Sequence, residues 1–213
     1  MSAASLVDPP AARRARLSPD ERRAQLIALG VAALAEHPLG ELDIEQLAAQ
    51  AGVSRALLFH YFGSKQGYQR ELVKTARDSM LLATEPRPEL EPLERLRDTL
   101  ERTVAFVRGH GGTFHSLVRG PASGSPEIRA VVEQARVRQT ERVLALFVER
   151  DIPVSPLLRI ALRAWIAFVE QALVDAALGS ALPSGDIVAL LEDALRGITE
   201  RVDPEAAHAL FDV

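Results

Sequence analysis

Between Asp43 and Lys65 the chain reads DIEQLAAQAGVSRALLFHYFGSK, and this stretch admits few folds. Behind Asp43, whose carboxylate suits a helix start, Ile44, Leu47, Ala48 and Ala51 recur at helical spacing, and Gln46 stands where it would reach back in a capping box. Gly52 stops that helix, because glycine takes the left-handed backbone at no steric cost. Ser54 then caps a second helix that runs to about Phe62. Ala48 is small where two steeply crossed helices must nearly touch, and Leu47, Val53 and Leu58 fill the wedge between them. A small residue, a glycine four positions on and an apolar residue six beyond that make the pattern of a helix-turn-helix unit.

The run FHYFGSK gathers three aromatics, a histidine, a glycine, a serine and a lysine, in a chain that is only 5% aromatic, so it stands out from the background. Ser64 caps a third helix, and Lys65 falls in its first turn, where a cation is mildly unfavourable against the helix dipole. The placement makes sense if the helix N-terminus and Lys65 jointly hold an anion such as a DNA phosphate. On the turn pattern alone, an ordinary pair of core helices stays open.

With this run attached, LAAQAGVSRALLFHYFGSK resembles the DNA-binding domain of the TetR family of bacterial transcriptional regulators, and the likeness extends from Pro19 to about Val73. The resemblance implies an all-α homodimer: an N-terminal three-helix DNA-binding domain with its helix-turn-helix at 43–62, then a larger helical ligand-binding and dimerisation domain, about nine helices in total. It divides the chain into a basic arm (1–18), a DNA-binding domain (19–64) and a ligand-binding domain (65–213), with the helix over 65–84 as the link. It also implies a repressor that occupies a palindromic double-stranded operator and leaves it when a small-molecule inducer binds. A helical enzyme, or a ligand-binding scaffold whose helix-turn-helix is only structural, is the competing reading.

The DNA contacts expected on this basis are Ser54, Arg55, Leu57, Phe59, His60, Tyr61 and Lys65. Arg55 is the one long polar donor near the start of the second helix; it either reads a guanine through two parallel hydrogen bonds or rests on a phosphate. Ser54, His60 and Tyr61 can donate to phosphates. Leu57 faces a thymine methyl, and Phe59 stands where many relatives carry a phosphate-binding tyrosine. Glu45 would repel phosphate and is not counted. Arg22 and Arg23, near the start of the first helix, are placed for phosphate contact.

Charge limits the reading less than its distribution does. The net charge of -4 argues by itself against a nucleic-acid binder. Residues 1–75 nevertheless carry nine Lys/Arg against eight Asp/Glu, so positive charge must be placed locally in the DNA-binding half. In the first 18 residues Arg13, Arg14 and Arg16 form either a solvated tail or an arm along the duplex. The absence of cysteine removes disulfides, thiolate metal sites and thiol nucleophiles. No apolar run approaches the roughly 20 residues a membrane span requires, and the N-terminus lacks a signal peptide's apolar core, so a soluble cytoplasmic protein is expected.

Beyond residue 91, helices are expected over about 92–108, 113–119, 125–149, 155–179 and 186–202, without any alternating strand pattern. Phe106, His110, Phe114, His115 and Trp165 are expected to converge on an inducer pocket, with Arg163 as a charged group in an apolar setting. The glycine-rich segment 109–124 is expected to order around the ligand and press on the linking helix. His110 and His115 are poorly spaced for a metal, and no nucleophile elbow, phosphate loop or metal-binding histidine pair is found, so no catalytic residue, metal or cofactor is expected. The helix over 155–179 is apolar on nearly every face and must be covered. Ile166, Leu173, Leu191, Leu195 and Ile198 are the candidates for a four-helix dimer interface, unless this helix is simply the centre of a single-chain bundle.

Overall fold

The computed structural model describes residues 17–119 and 125–211; the arm carrying Arg13, Arg14 and Arg16 and the loop with Gly120 and Gly124 lie outside them. Ten α-helices follow one another: α1 (Pro19–Ala33), α2 (Ile44–Gln50), α3 (Arg55–Phe62), α4 (Lys65–Ala83), α5 (Pro92–Gly109), α6 (Gly111–Arg119), α7 (Pro126–Val148), α8 (Pro156–Ala172), α9 (Ser184–Val202) and α10 (Pro204–Phe211). A 3-10 turn (Leu39–Glu41) precedes α2, and a π-helical segment (Leu173–Leu178) prolongs α8. No strand occurs among the described residues.

Serine and aspartate side chains start the helices by accepting from backbone N–H groups that have no partner within the helix. Ser18 accepts from Glu21 N at 3.2 Å while the Glu21 carboxylate accepts from Ser18 N at 2.7 Å, which holds that carboxyl below its ordinary range. Ser54, Ser64 and Ser155 cap α3, α4 and α8 in the same manner. Asp43 caps α2 through two bonds, from Glu45 N and Gln46 N, so a single-residue cap stands where a reciprocal box with Gln46 was expected. Helix α10 was not foreseen: Asp203 accepts from Ala206 N at 3.1 Å, Pro204 occupies the first turn, and Ala206, Ala207 and Leu210 are buried beneath it.

Two cores result. The larger gathers α5, α7, α8, α9 and α10 around Trp165, Phe147, Leu158, Leu162, Leu191 and Leu195. The smaller lies under α1 to α4 and is built on Leu26, Leu34, Leu47, Leu58, Tyr68 and Leu72; Ile128 and Val131 of α7 join it. Helix α4 therefore packs against α1 and α3 at one end and against α7 and α5 at the other. Gly52 turns α2 into α3 with φ 68°, the conformation the sequence called for. Gly30 answers a different need: a Cβ there would lie 2.4 Å from the Tyr68 hydroxyl and 2.6 Å from a Leu72 methyl. The absent side chain lets α4 press onto α1, and the Tyr68 phenol donates to Leu26 O at 2.6 Å. A second close approach joins the two halves of the molecule, where a Cβ on Gly112 would lie 2.0 Å from the carbonyl oxygen of Ala35. Helix α6 thus abuts the residues just after α1, which puts the start of the glycine-rich segment against the N-terminal domain at the end of its first helix, where contact with α4 was expected.

Gly30→Ala is expected to force α1 and α4 apart and cost about 1–3 kcal/mol of stability, read from urea unfolding at fixed protein concentration. Burial pushes the Tyr68 phenol up to about 12 from an ordinary 10.0. The folded state thus keeps a proton that the unfolded chain releases, so this contribution is complete below pH 10 and disappears as pH rises from there towards 12. Thermal midpoints measured across that window are expected to fall more steeply for the natural protein than for Tyr68→Phe.

Candidate nucleic-acid interface and ligand cavity

The outer face of α3 is built by its caps and its apolar anchors. Leu58 and Phe62 are buried, which turns Arg55, Ala56, Leu57 and His60 to the solvent, while Phe59 and Tyr61 lie half-buried at its flanks. The Arg55 guanidinium is not loose. It donates to the Glu45 carboxylate across the turn at 2.9 Å and lies 5.3 Å above the Phe59 ring. Glu45, set aside as a source of repulsion, is therefore the residue that aims Arg55. Both partners are largely exposed, so the pair contributes about 0–1 kcal/mol and is readily exchanged. Lys65 sits in the exposed first turn of α4, its amine 3.5 Å from Gly40 O, beside the N–H groups at that helix end. Ser54 is occupied as the α3 cap. Arg22 and Arg23 are turned inward: Arg22 donates to Ala51 O at 2.8 Å and to Gln25, and Arg23 pairs with Glu71 at 2.5 Å over the Phe62 ring. These two stitch α1 to its neighbours.

A cavity of about 300 Å³, at the lower end of the range for small-ligand sites, opens between α4, α5, α7 and α8. Trp165 and Phe114 line it, as the sequence indicated. The other four candidates do not. Phe106 stacks on His110 with ring centroids 4.3 Å apart, on the exposed side of α5. His115 lines a separate groove between α6 and the segment 34–38, and Arg163 is exposed and paired with Glu133. The polar lining instead includes Thr99, Arg95, Arg136 and Arg142, residues that in sequence are indistinguishable from the solvated charges and back-bonded threonines around them.

Arg142 carries the most contacts. Its guanidinium donates to Leu81 O at 2.9 Å and Thr84 O at 3.1 Å, the free carbonyls at the end of α4, and pairs with Glu85. Burial pulls its pKa down, against the pull of Glu85. Arg136 is held by a two-pronged bond to Glu170, with contacts of 2.7 and 3.0 Å, which raises its pKa.

The dimer candidates need correction. Ile166, Leu173, Leu191 and Leu195 are enclosed in the chain's own core, with Leu191 and Leu195 at 0% exposure, and Ile198 packs against the same core. They face inward because α8 and α9 pack on each other and on α5. The apolar side chains that reach the surface of this pair are Leu157 (61% exposed), Ile160 (65%), Phe168 (39%) and Leu190 (48%).

Residues 26–68 match the family model described as bacterial regulatory proteins, tetR family, and residues 92–196 match that of the tetracyclin repressor-like C-terminal domain. The chain belongs to the TetR family. It is 29% identical to the transcriptional regulator BetI of Agrobacterium fabrum over 129 residues, 61% of this chain and 59% of that one. It is 26% identical to the transcriptional activator FasR of Mycolicibacterium smegmatis over 144 residues, 64% of this chain and 63% of that one. The match thus spans less than two thirds of either relative. The crystal structure of a TetR-family regulator from Streptomyces coelicolor superposes with a TM-score of 0.76 at 27% identity, covering 91% of this chain and 88% of the other. No helix among the described residues is long and apolar enough to cross a membrane.

Arg142→Met is expected to cost about 1–3 kcal/mol, since it leaves the Leu81 and Thr84 carbonyls without their donor. Glu85→Gln is expected to cost less than about 1 kcal/mol, because Glu85 is 56% exposed and rehydrates. Urea unfolding of the two variants at one protein concentration checks the order.

Proposed function

We propose that the protein is a repressor that binds a palindromic operator as a homodimer and leaves it when a small uncharged or weakly polar inducer enters the α4–α5–α7–α8 cavity. The observation that carries this reading is the outer face of α3. Arg55 stands there, aimed by Glu45, with Leu57 and His60 beside it and Lys65 at the adjoining helix start. An arginine so placed reads guanine, Leu57 meets a thymine methyl, and the Lys65 amine with the α4 N-terminus takes a phosphate. Ser54, Phe59 and Tyr61 flank the same helix and complete the surface.

The second copy is assigned to the exposed stripe of Leu157, Ile160 and Phe168 on α8 with Leu190 on α9. Burying those side chains two-fold makes a four-helix contact between protomers. Two-fold symmetry then requires half-sites about 34–36 Å apart or a multiple of that. Repression is the simplest mode for a dimer that covers promoter DNA, and FasR, an activator by name, marks the alternative.

Gel-shift titration against the DNA upstream of the protein's own coding region tests operator binding. Lys65→Ala is expected to weaken every site alike and lower the salt slope by about one, whereas Arg55→Ala is expected to cost about 1–3 kcal/mol at one base pair and relax specificity there. Uniform weakening by Arg55→Ala would reduce that residue to a backbone contact. Sedimentation at micromolar concentration is expected to show a dimer that Phe168→Glu converts to a folded monomer, because Phe168 is outside the protomer's core.

A further inference from the structure

Four guanidinium groups and four carboxylates line the cavity, and they pair among themselves: Arg95 with Glu149, Arg136 with Glu170, Arg138 with Glu141 and Arg142 with Glu85. Their formal charges cancel. Trp165 spends its indole N–H on Leu191 O at 3.0 Å and so offers the cavity only ring carbon. Leu96, Leu100, Phe114, Val169 and Leu173 make most of the remaining wall apolar; Thr103 bonds to Thr99 O, and the Gln139 side-chain carbonyl accepts from Arg142 at 3.3 Å.

Two polar atoms on residues of this lining have no partner: Thr99 Oγ1 and Arg142 Nε, both closed off by their neighbours. Thr99 is an exception to a local rule. Thr84, Thr103, Thr140 and Thr199 each turn their hydroxyl onto the carbonyl four residues back, at 2.7 to 2.8 Å, and Thr103 does so onto Thr99 O itself. The Thr99 hydroxyl makes no such bond. The side chain of Arg142 is 9% exposed, and its two terminal nitrogens are occupied while Nε is not. A buried donor without an acceptor is costly until one arrives.

We propose that the cavity takes an uncharged, mainly apolar ligand bearing one hydrogen-bond acceptor, a ketone, ester or amide oxygen, towards which the Thr99 hydroxyl and Arg142 Nε–H turn to donate. The proposal rests on the reading of this cavity as the inducer site. An alkane leaves both donors unpaired. An ammonium finds no free acceptor of matching charge. A carboxylate can accept from both donors but adds a charge to a lining already balanced, and must compete with Glu85 for Arg142. Because Arg142 also holds the last carbonyls of α4, an acceptor at Nε bears directly on the helix whose other end carries Lys65.

Trp165 is the one tryptophan in the chain and lines the cavity, so its emission reports occupancy. The full-length protein is titrated with four probes of matched length: 2-undecanone, decanoate, decylamine and undecane. The ketone is expected to shift Trp165 emission saturably, and the other three to need at least about tenfold more probe. Thr99→Val is expected to weaken the ketone about tenfold, and Thr99→Ser to restore it. Thermal midpoints establish that both variants are folded; if Thr99→Val is not, the ranking of the four probes on the natural protein and on Thr99→Ser decides. Tighter binding of decanoate than of ketone, equal binding of all four, no response to any probe, or an unchanged ketone affinity in folded Thr99→Val would each overturn the proposal. Operator binding measured on the same preparation separates the two readings. A wrong probe ranking with intact operator binding sinks only the ligand class, whereas the expected ranking without operator binding sinks the regulator and leaves the ligand site.

Discussion

Arg142 reaches from α7 to the last turn of α4 and donates to the carbonyls of Leu81 and Thr84, in a pocket where its own charge is poorly solvated. At the opposite end of the same helix, Tyr68 and Leu72 press into the space left by Gly30. These two attachments make α4 a strut common to both cores. Helix α7 has a similar double role, since Ile128 and Val131 at its start belong to the core of the DNA-binding domain while Ala135, Val143 and Leu146 further along line the cavity. The cavity wall thus shares α4 and α7 with the core beneath α1 to α3. Close-packed interfaces of this type shift between discrete arrangements rather than deform smoothly, which suits them to switching.

Ion pairs in this molecule divide by exposure into two kinds of work. Arg55 and Glu45 lie in water and bind each other weakly, so Arg55 exchanges this carboxylate at little cost, as the proposed contact with a base edge requires. Arg136–Glu170 and Arg142–Glu85 flank an apolar cavity, where an unpaired charge would be far more costly, so each cation is held by a carboxylate and by hydrogen bonds. The first kind orients a side chain for a partner that arrives later; the second shapes a wall.

The reading of residues 43–65 from the chain alone agrees closely with the structure, because local rules decide it. Asp43, Ser54 and Ser64 cap helices through bonds that span two or three residues, and Gly52 takes a backbone angle that no distant contact needs to enforce. Nine of the ten helices, and the absence of strand among the described residues, follow from periodicity and Pro or Gly breaks of the same short range. Helix α10 was legible in the same way, from Asp203-Pro204, but its eight residues carry only a short apolar stripe.

What lay beyond the sequence was which side of each helix finds a neighbour. Helix α8 is apolar all round, so its pattern gives no means of telling Ile166 and Val169, which face the core, from Ile160 and Phe168, which face out; the packing of α9 and α5 makes that choice. Glu45 read as a repulsive charge until the turn brought it 2.9 Å from Arg55. Thr99 and Arg142 looked like ordinary residues of polar helix faces, because a missing hydrogen bond is a property of the space around an atom and leaves no trace in residue order. The sequence by itself determined the helices, their caps and the helix-turn-helix, since those depend on residues within a few positions of one another. Tertiary structure alone decided the cavity, the partner of each charge and the exposed apolar stripe, since those depend on residues dozens of positions apart whose meeting is set by how the helices cross.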